Sequence, residues 1–184
     1  MANPKIFGIP NLRGAVAIGI DQSYSGFAIT ALDKNNHYYT EVRKFDGTGV
    51  ERLSNARTFL VNFVDSFTVE SIAIEGYAFG SQMANMAGEL GGMIRLALYD
   101  KYNSRTINAA FPLVVPPTSL KKYVTGKGTG VSKSQMMLAV YKKWGVDLPD
   151  DNAADSYGLA RIAQGKHEFE YEKEVYNKLV SQGK

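Results

Sequence analysis

No cysteine occurs in the chain, and histidine and tryptophan are scarce, at two and one residues. The missing cysteines exclude disulfides, thiolate metal centres and cysteine nucleophiles, and suit a reducing cytoplasm. Two histidines leave little for a histidine-based zinc site. A long apolar run is absent from the start of the chain as well. The opening MANPKIFGIPNLRG has two prolines and no continuous apolar core, so residues 1–14 read as an extended arm rather than a signal peptide or membrane anchor. Neither charge sign dominates: 21 Lys and Arg against 18 Asp and Glu give a net +3, too mild to require a nucleic-acid partner, so the distribution of charge must decide.

What is present suffices for a folded unit. With 184 residues, 45% hydrophobic and 21% charged, the chain fits one domain with a full core, expected over residues 15–165. A charged C-terminal helix or tail follows over 166–184. The stretch AVAIGIDQSYSGFAITA, Ala15 to Ala31, organises the rest. Its apolar run reads as a buried strand, and Asp21 follows it directly, ahead of the turn Ser23-Tyr24-Ser25-Gly26. A buried carboxylate without partners is costly, so such an aspartate either caps a turn or helps to hold a cation.

Gly26 to Leu32 and His37 to Phe45 read as two further strands around the turn Asp33-Lys34-Asn35-Asn36, making an antiparallel meander. Thr48 and Glu51 match a capping box, and Leu53, Ala56, Leu60, Phe63 and Phe67 then recur at helical spacing. The strand Ser71 to Gly76 ends on Glu75, so two strands deliver acids. Gln82 to Lys101 favours a long helix whose Gly88, Gly91 and Gly92 admit a close neighbour, either the sheet or a second copy of the chain. Ala109 to Val115 reads as a fifth strand, giving an α/β fold with a five-stranded mixed sheet flanked by helices. Thr118 to Gln135 reads as the loop of a helix-loop-helix. It sets Lys121, Lys122, Lys127 and Lys133 around Gly126, Gly128 and Gly130, which suits either a solvated loop or one that holds a nucleic-acid backbone. It lacks the closing Gly-Lys-Ser/Thr of a Walker A loop. Ser132 and Gln135 form a second capping box for a helix with an apolar stripe at Met137, Val140, Tyr141 and Trp144, ending at Gly145.

The last motif is DDNAADSYGLARIA, from Asp150. Asp150 or Asp151 can cap this helix, and first-turn acids suit its dipole. Asp155 shares a helical stripe with Leu159 and Ile162, the face that should meet the sheet. Pressed toward Asp21 and Glu75 it would be repelled unless a divalent cation lies among them. Oxygen donors of this kind call for Mg²⁺ or Mn²⁺ rather than zinc.

Taken together, IGIDQSYSGFAI, IAIEG, PTSLKKYVTGKGTGVSKSQM and DNAADSYGLA, in that order, resemble the bacterial and phage RuvC-type Holliday junction resolvases of the RNase H-like nuclease superfamily. The resemblance spans Val16 to Ala163. It implies an RNase H-like fold with Asp21, Glu75 and Asp155 as catalytic, metal-binding carboxylates, and Lys121 and Lys133 as basic residues around the junction and scissile phosphate. Three departures stand out: Asn152 replaces an aspartate three residues before the last acid, the loop before Lys133 is one residue longer, and Ala78 replaces a frequent aromatic. Asp151 is therefore expected as the fourth ligand, because it brings a full charge where Asn152 offers a neutral carbonyl. Tyr77 and Phe79 become the candidates for an aromatic that stacks at the junction.

The implied activity is that of a crossover junction endodeoxyribonuclease: two Mg²⁺ ions per site, with Mn²⁺ also competent, hydrolysing phosphodiesters on opposed strands of a four-way junction. A C₂ homodimer would match the two-fold symmetry of that substrate, in the cytoplasm of a bacterium or phage-infected host. The alternatives are a broader nuclease for forks and flaps, a non-catalytic junction-binding protein, and an ATP-binding domain of the sugar-kinase and actin type, which usually needs two such lobes.

Overall fold

Period-two alternation builds the centre of this molecule. In the computed structural model, which describes residues 3–76, 84–102 and 112–182, Val16, Ile18 and Ile20 of strand β2 (Ala15–Asp21) face one way, and Ala17, Gly19 and Asp21 the other. The meander runs from β2 through β3 (Phe27–Asp33) to β4 (Tyr38–Arg43), each pair antiparallel. Asp33 ties the β3–β4 turn by accepting from the amides of Asn35 at 2.8 Å and His37 at 3.0 Å, and Asn36 takes φ 67°. Helix α1 (Gly49–Asp65) then crosses to β5 (Thr68–Glu75), which lies parallel to β2.

Among the described residues the sheet has six strands, not five, in the order β1-β4-β3-β2-β5-β6. The extra strand is β1 (Lys5–Gly8), within the segment expected to be an arm; it pairs with β4 and occupies that strand's open edge. Strand β6 is only Leu113–Val115, so the expected Ala109 start lies outside the described residues. Helix α2 (Ala84–Tyr102) occupies the predicted long helix from residue 84 onward.

Two apolar clusters sandwich the sheet. On one face Ile18, Ile20, Ile72 and Ile74 meet Phe59, Leu60 and Phe63 of α1 and Leu90 and Ile94 of α2. On the other, Ala28, Ala73 and Val115 meet α3 (Pro117–Thr125), α4 (Lys133–Trp144), α5 (Asp151–Gln164) and α6 (Glu170–Gln182). Helix α6 is fastened to α4 by the buried Lys143–Glu172 ion pair, with the Lys143 ammonium among the rings of Tyr123, Trp144, Phe169 and Tyr171 at 4.8–5.3 Å.

Several local expectations change. Thr48 makes no side-chain cap bond, and the Glu51 carboxylate lies against Gly47. The Ser132–Gln135 capping box does form. The buried stripe of α4 centres on Met136 and Val140, while Tyr141, one step around the helix, is 56% exposed. Lys121 and Lys122 lie on α3 rather than in a loop, and the connection to α4 shrinks to residues 126–132.

Helix α5 lies directly on β2 at Gly19. A Cβ built there would fall 2.0 Å from the Ser156 carbonyl oxygen and 2.2 Å from the Ala160 nitrogen, both backbone atoms that cannot swing away. Gly19→Ala is therefore expected to destabilise the protein by about 3 kcal/mol or more, read as a shift in the urea midpoint.

Candidate active site

The contact at Gly19 determines which side chains meet. Asp21 lies two residues further along the same face of β2, and Glu75 holds the matching place on β5, two beyond the buried Ala73. Asp155 immediately precedes Ser156, whose carbonyl abuts Gly19, so α5 brings its carboxylate toward the same strand ends. The hydroxyl of Ser156 joins Thr30 at 2.8 Å, and Thr30 joins Thr40 at 2.7 Å, so these three buried hydroxyls are satisfied between helix and sheet.

Electrostatics records the convergence. Burial, then the charges of Glu75 and Asp155, hold the Asp21 carboxyl well above its ordinary range, against one backbone bond from Ser23 at 3.0 Å. Burial also raises Glu75, against a side-chain hydrogen bond with Asp21 and the charge of Lys121. Asp155 is pushed up to about 7 by burial first, then by Glu75 and Asp151, with Lys121 and Lys133 pulling the other way. One Asp155 oxygen, Oδ1, is buried with no hydrogen-bond partner among the described residues. No three Asp, Glu or His side chains among those residues converge closely enough to grip a cation as they stand. The donor set nonetheless fits one: hard oxygens, an unpartnered buried carboxylate and mutual repulsion that either protons or a divalent ion can relieve.

The neighbouring acids divide their tasks. Asp150 is the N-cap of α5, accepting from the amides of Asn152 at 3.1 Å and Ala153 at 3.2 Å, and it binds Lys5 of β1 at 2.6 Å. Asp151 is left to pair with Lys133. The Asn152 side chain packs against Gly26, where an added Cβ would lie 2.5 Å from its Nδ2.

Of the four lysines, two reach the acids. Lys121 acts on Glu75 and Asp155, and Lys133 on Asp151, Asp155 and Asp21. Lys122 points elsewhere, to Glu174 of α6 at 2.9 Å, because it is one residue around the helix from Lys121. Lys127 sits exposed just after the left-handed Gly126. Tyr77 and Phe79 lie outside the described residues. Trp144 packs on Tyr157 at 5.6 Å, with the Arg161 guanidinium 5.1 Å from its ring centre.

Two features went unread in the sequence. Gln22, directly after Asp21, is buried and donates to the Glu75 carbonyl at 2.7 Å. Its signal was available: a polar residue following a buried strand end must find a partner. Arg52 of α1 stacks over Tyr24 at 3.8 Å and donates to that residue's carbonyl, holding the turn after Asp21. No local pattern announces it.

The sequence matches no family model and no curated protein. Solved structures match its fold. RuvC of Thermus thermophilus is 18% identical over 89% of this chain and 96% of that one, with a TM-score of 0.62. T. thermophilus RuvC in complex with Holliday junction substrate is 14% identical over 90% and 96%, at 0.63. The yeast mitochondrial Holliday junction resolvase Ydc2 is 13% identical over 93% and 84%, at 0.50. The chain therefore has the RNase H-like fold of RuvC.

Because the Asp155 proton is held more tightly in the folded state than at its ordinary 3.8, this group favours folding below about pH 4, and that contribution is lost as pH rises through about 7. In metal-free buffer at pH 8, Asp155→Asn should be more stable than the parent by on the order of 2 kcal/mol. In urea titrations the two proteins should converge below pH 4.

Proposed function

We propose that this protein is a metal-dependent endonuclease that nicks branched DNA, with four-way junctions as its principal substrate. The observation that carries the reading is the meeting of Asp21, Glu75 and Asp155 at one end of the sheet, flanked by Lys121 and Lys133, in the fold of RuvC. Asp21, Glu75, Asp155 and Asp151 would hold Mg²⁺, with Mn²⁺ as a substitute and two ions per site. When bound, such ions supply an activated water and stabilise charge on the leaving 3′ oxygen, for hydrolysis that leaves 5′-phosphate ends.

The chain's own groups do the remaining work. Lys121 and Lys133 bring positive charge to the phosphate beside the acids, and Lys127 extends it into the glycine-containing loop. Tyr77 and Phe79, two and four residues after Glu75 in the sequence, are the candidates to stack on an unpaired base. A C₂ homodimer would place one site on each of two opposed strands. The outward face of α2 supports this arrangement: Leu96 and Tyr99 are exposed on the same side of the helix as Gly92, where an added Cβ would meet nothing within 4 Å among the described residues.

Incubated with Mg²⁺, a labelled four-way junction should be nicked on opposed strands while its matching linear duplex survives. Equal cutting of forks and flaps would instead identify a broader branched-DNA nuclease. Asp21→Asn, Glu75→Gln and Asp155→Asn should each lower cleavage by at least about a hundredfold and leave metal-free junction binding intact, since none removes positive charge. Near-normal turnover in any one would remove that residue from the ligand set.

The division of tasks at the start of α5 favours Asp151 over Asn152 as the fourth ligand. Capping already occupies Asp150, and the Asn152 amide is packed against Gly26. In a Mg²⁺ titration of cleavage, Asp151→Asn should raise the half-saturating concentration and lower the maximal rate, whereas Asn152→Ala should change both little. The opposite pattern would give the role to Asn152.

A further inference from the structure

We propose that Gln22 is a positioning residue for the acid cluster, a side-chain crosslink that sets the separation of the strand ends carrying Asp21 and Glu75. The inference rests on the reading of that cluster as a hard-cation site. The parallel ladder between β2 and β5 runs out at Ile20 opposite Ile74, one residue short of both acids. Past that rung, Asp21 is in register with Ala28 of β3 and Glu75 with Val115 of β6, and the two acids are not in register with each other. Each acid is thus tied to a strand on its outer side. Beyond the last parallel pair, the Gln22 amide nitrogen donates to the Glu75 carbonyl at 2.7 Å and carries the bonding between the two strand ends one step further.

The chemistry of the side chain supports this role. A carbonyl acceptor fixes the amide orientation, with Nε2 toward Glu75 and Oε1 away from it. Gln22 is only 6% exposed, and its Oε1 is buried without a partner among the described residues. A buried amide oxygen left unpaired is destabilising, so an apolar side chain would sit here more comfortably. What glutamine provides in exchange is the crosslink. It is also neutral, so replacing it leaves the charges around the acids unchanged and alters only their geometry. Groups that orient ligands through hydrogen bonds shift metal affinity by about 10–100-fold when removed.

The test uses the full chain and Mg²⁺ alone. Melting temperature is followed against Mg²⁺ concentration for the parent, Asp21→Asn and Gln22→Met, the last keeping bulk and flexibility while deleting the donor. The parent should be stabilised by Mg²⁺ and Asp21→Asn should not. Gln22→Met should need at least about tenfold more Mg²⁺ to reach its midpoint, with metal-free junction binding unchanged, and excess Mg²⁺ should restore its cleavage rate. Gln22→Leu serves the same comparison if the methionine variant does not fold. A Gln22→Met midpoint equal to the parent's overturns the positioning role alone. A parent that Mg²⁺ does not stabilise through Asp21 overturns the cation site and this inference with it. Failure of both Gln22 variants to fold would assign the residue to stability and also overturn the inference.

Discussion

Everything at the acid end of this molecule depends on one backbone-to-backbone contact, α5 resting on Gly19. Close packing of a helix on a sheet normally leaves room for side chains between the two. Here a single missing Cβ lets the Ser156 carbonyl and the Ala160 amide come down onto β2 itself. Gly158 repeats the device on the helix's other side, where an added Cβ would lie 2.8 Å from Val124 and 3.0 Å from Leu120 of α3. Helix α5 is thus gripped between strand and helix. Its position along β2 cannot drift, and Asp155 is carried with it.

That rigidity works against the charges it assembles. Three carboxylates are pressed toward one another in a setting that raises the proton affinity of each, and the compensating lysines stand at the rim. Stability withheld at such a place must come from elsewhere. The two apolar clusters, the buried hydroxyl chain Thr40–Thr30–Ser156 and the Asp150 cap supply it at a distance of a few residues.

Much of this was legible from the sequence, for identifiable reasons. Strands β2 to β5 show apolar runs bounded by turn residues, and both acids stand at strand ends where a run stops abruptly. Asp155 betrayed itself by occupying an apolar stripe. The Ser132 box was readable because both partners are local; Thr48 and Glu51 share that spacing, but two left-handed glycines, Gly47 at φ 84° and Gly49 at φ 52°, redirect the chain around them. What stayed hidden is long-range. Strand β1 is four residues long and is a strand only because β4 offers it an edge. The Arg52–Tyr24 and Gln22–Glu75 contacts join segments 28 and 53 residues apart, and no local spacing encodes them.

The seat of α5 on the first long strand also has a meaning in time. Residues 15–21 leave the ribosome well before residues 151–164, which form the helix that covers their inner face. Until those residues emerge, that face of β2 has no cover, and Lys5 waits across 145 residues for its partner Asp150. Such non-local closure is the slow part of folding. A nascent chain therefore carries Asp21 and Glu75 before Asp155 is made, so the acid cluster is completed only once α5 has been synthesised.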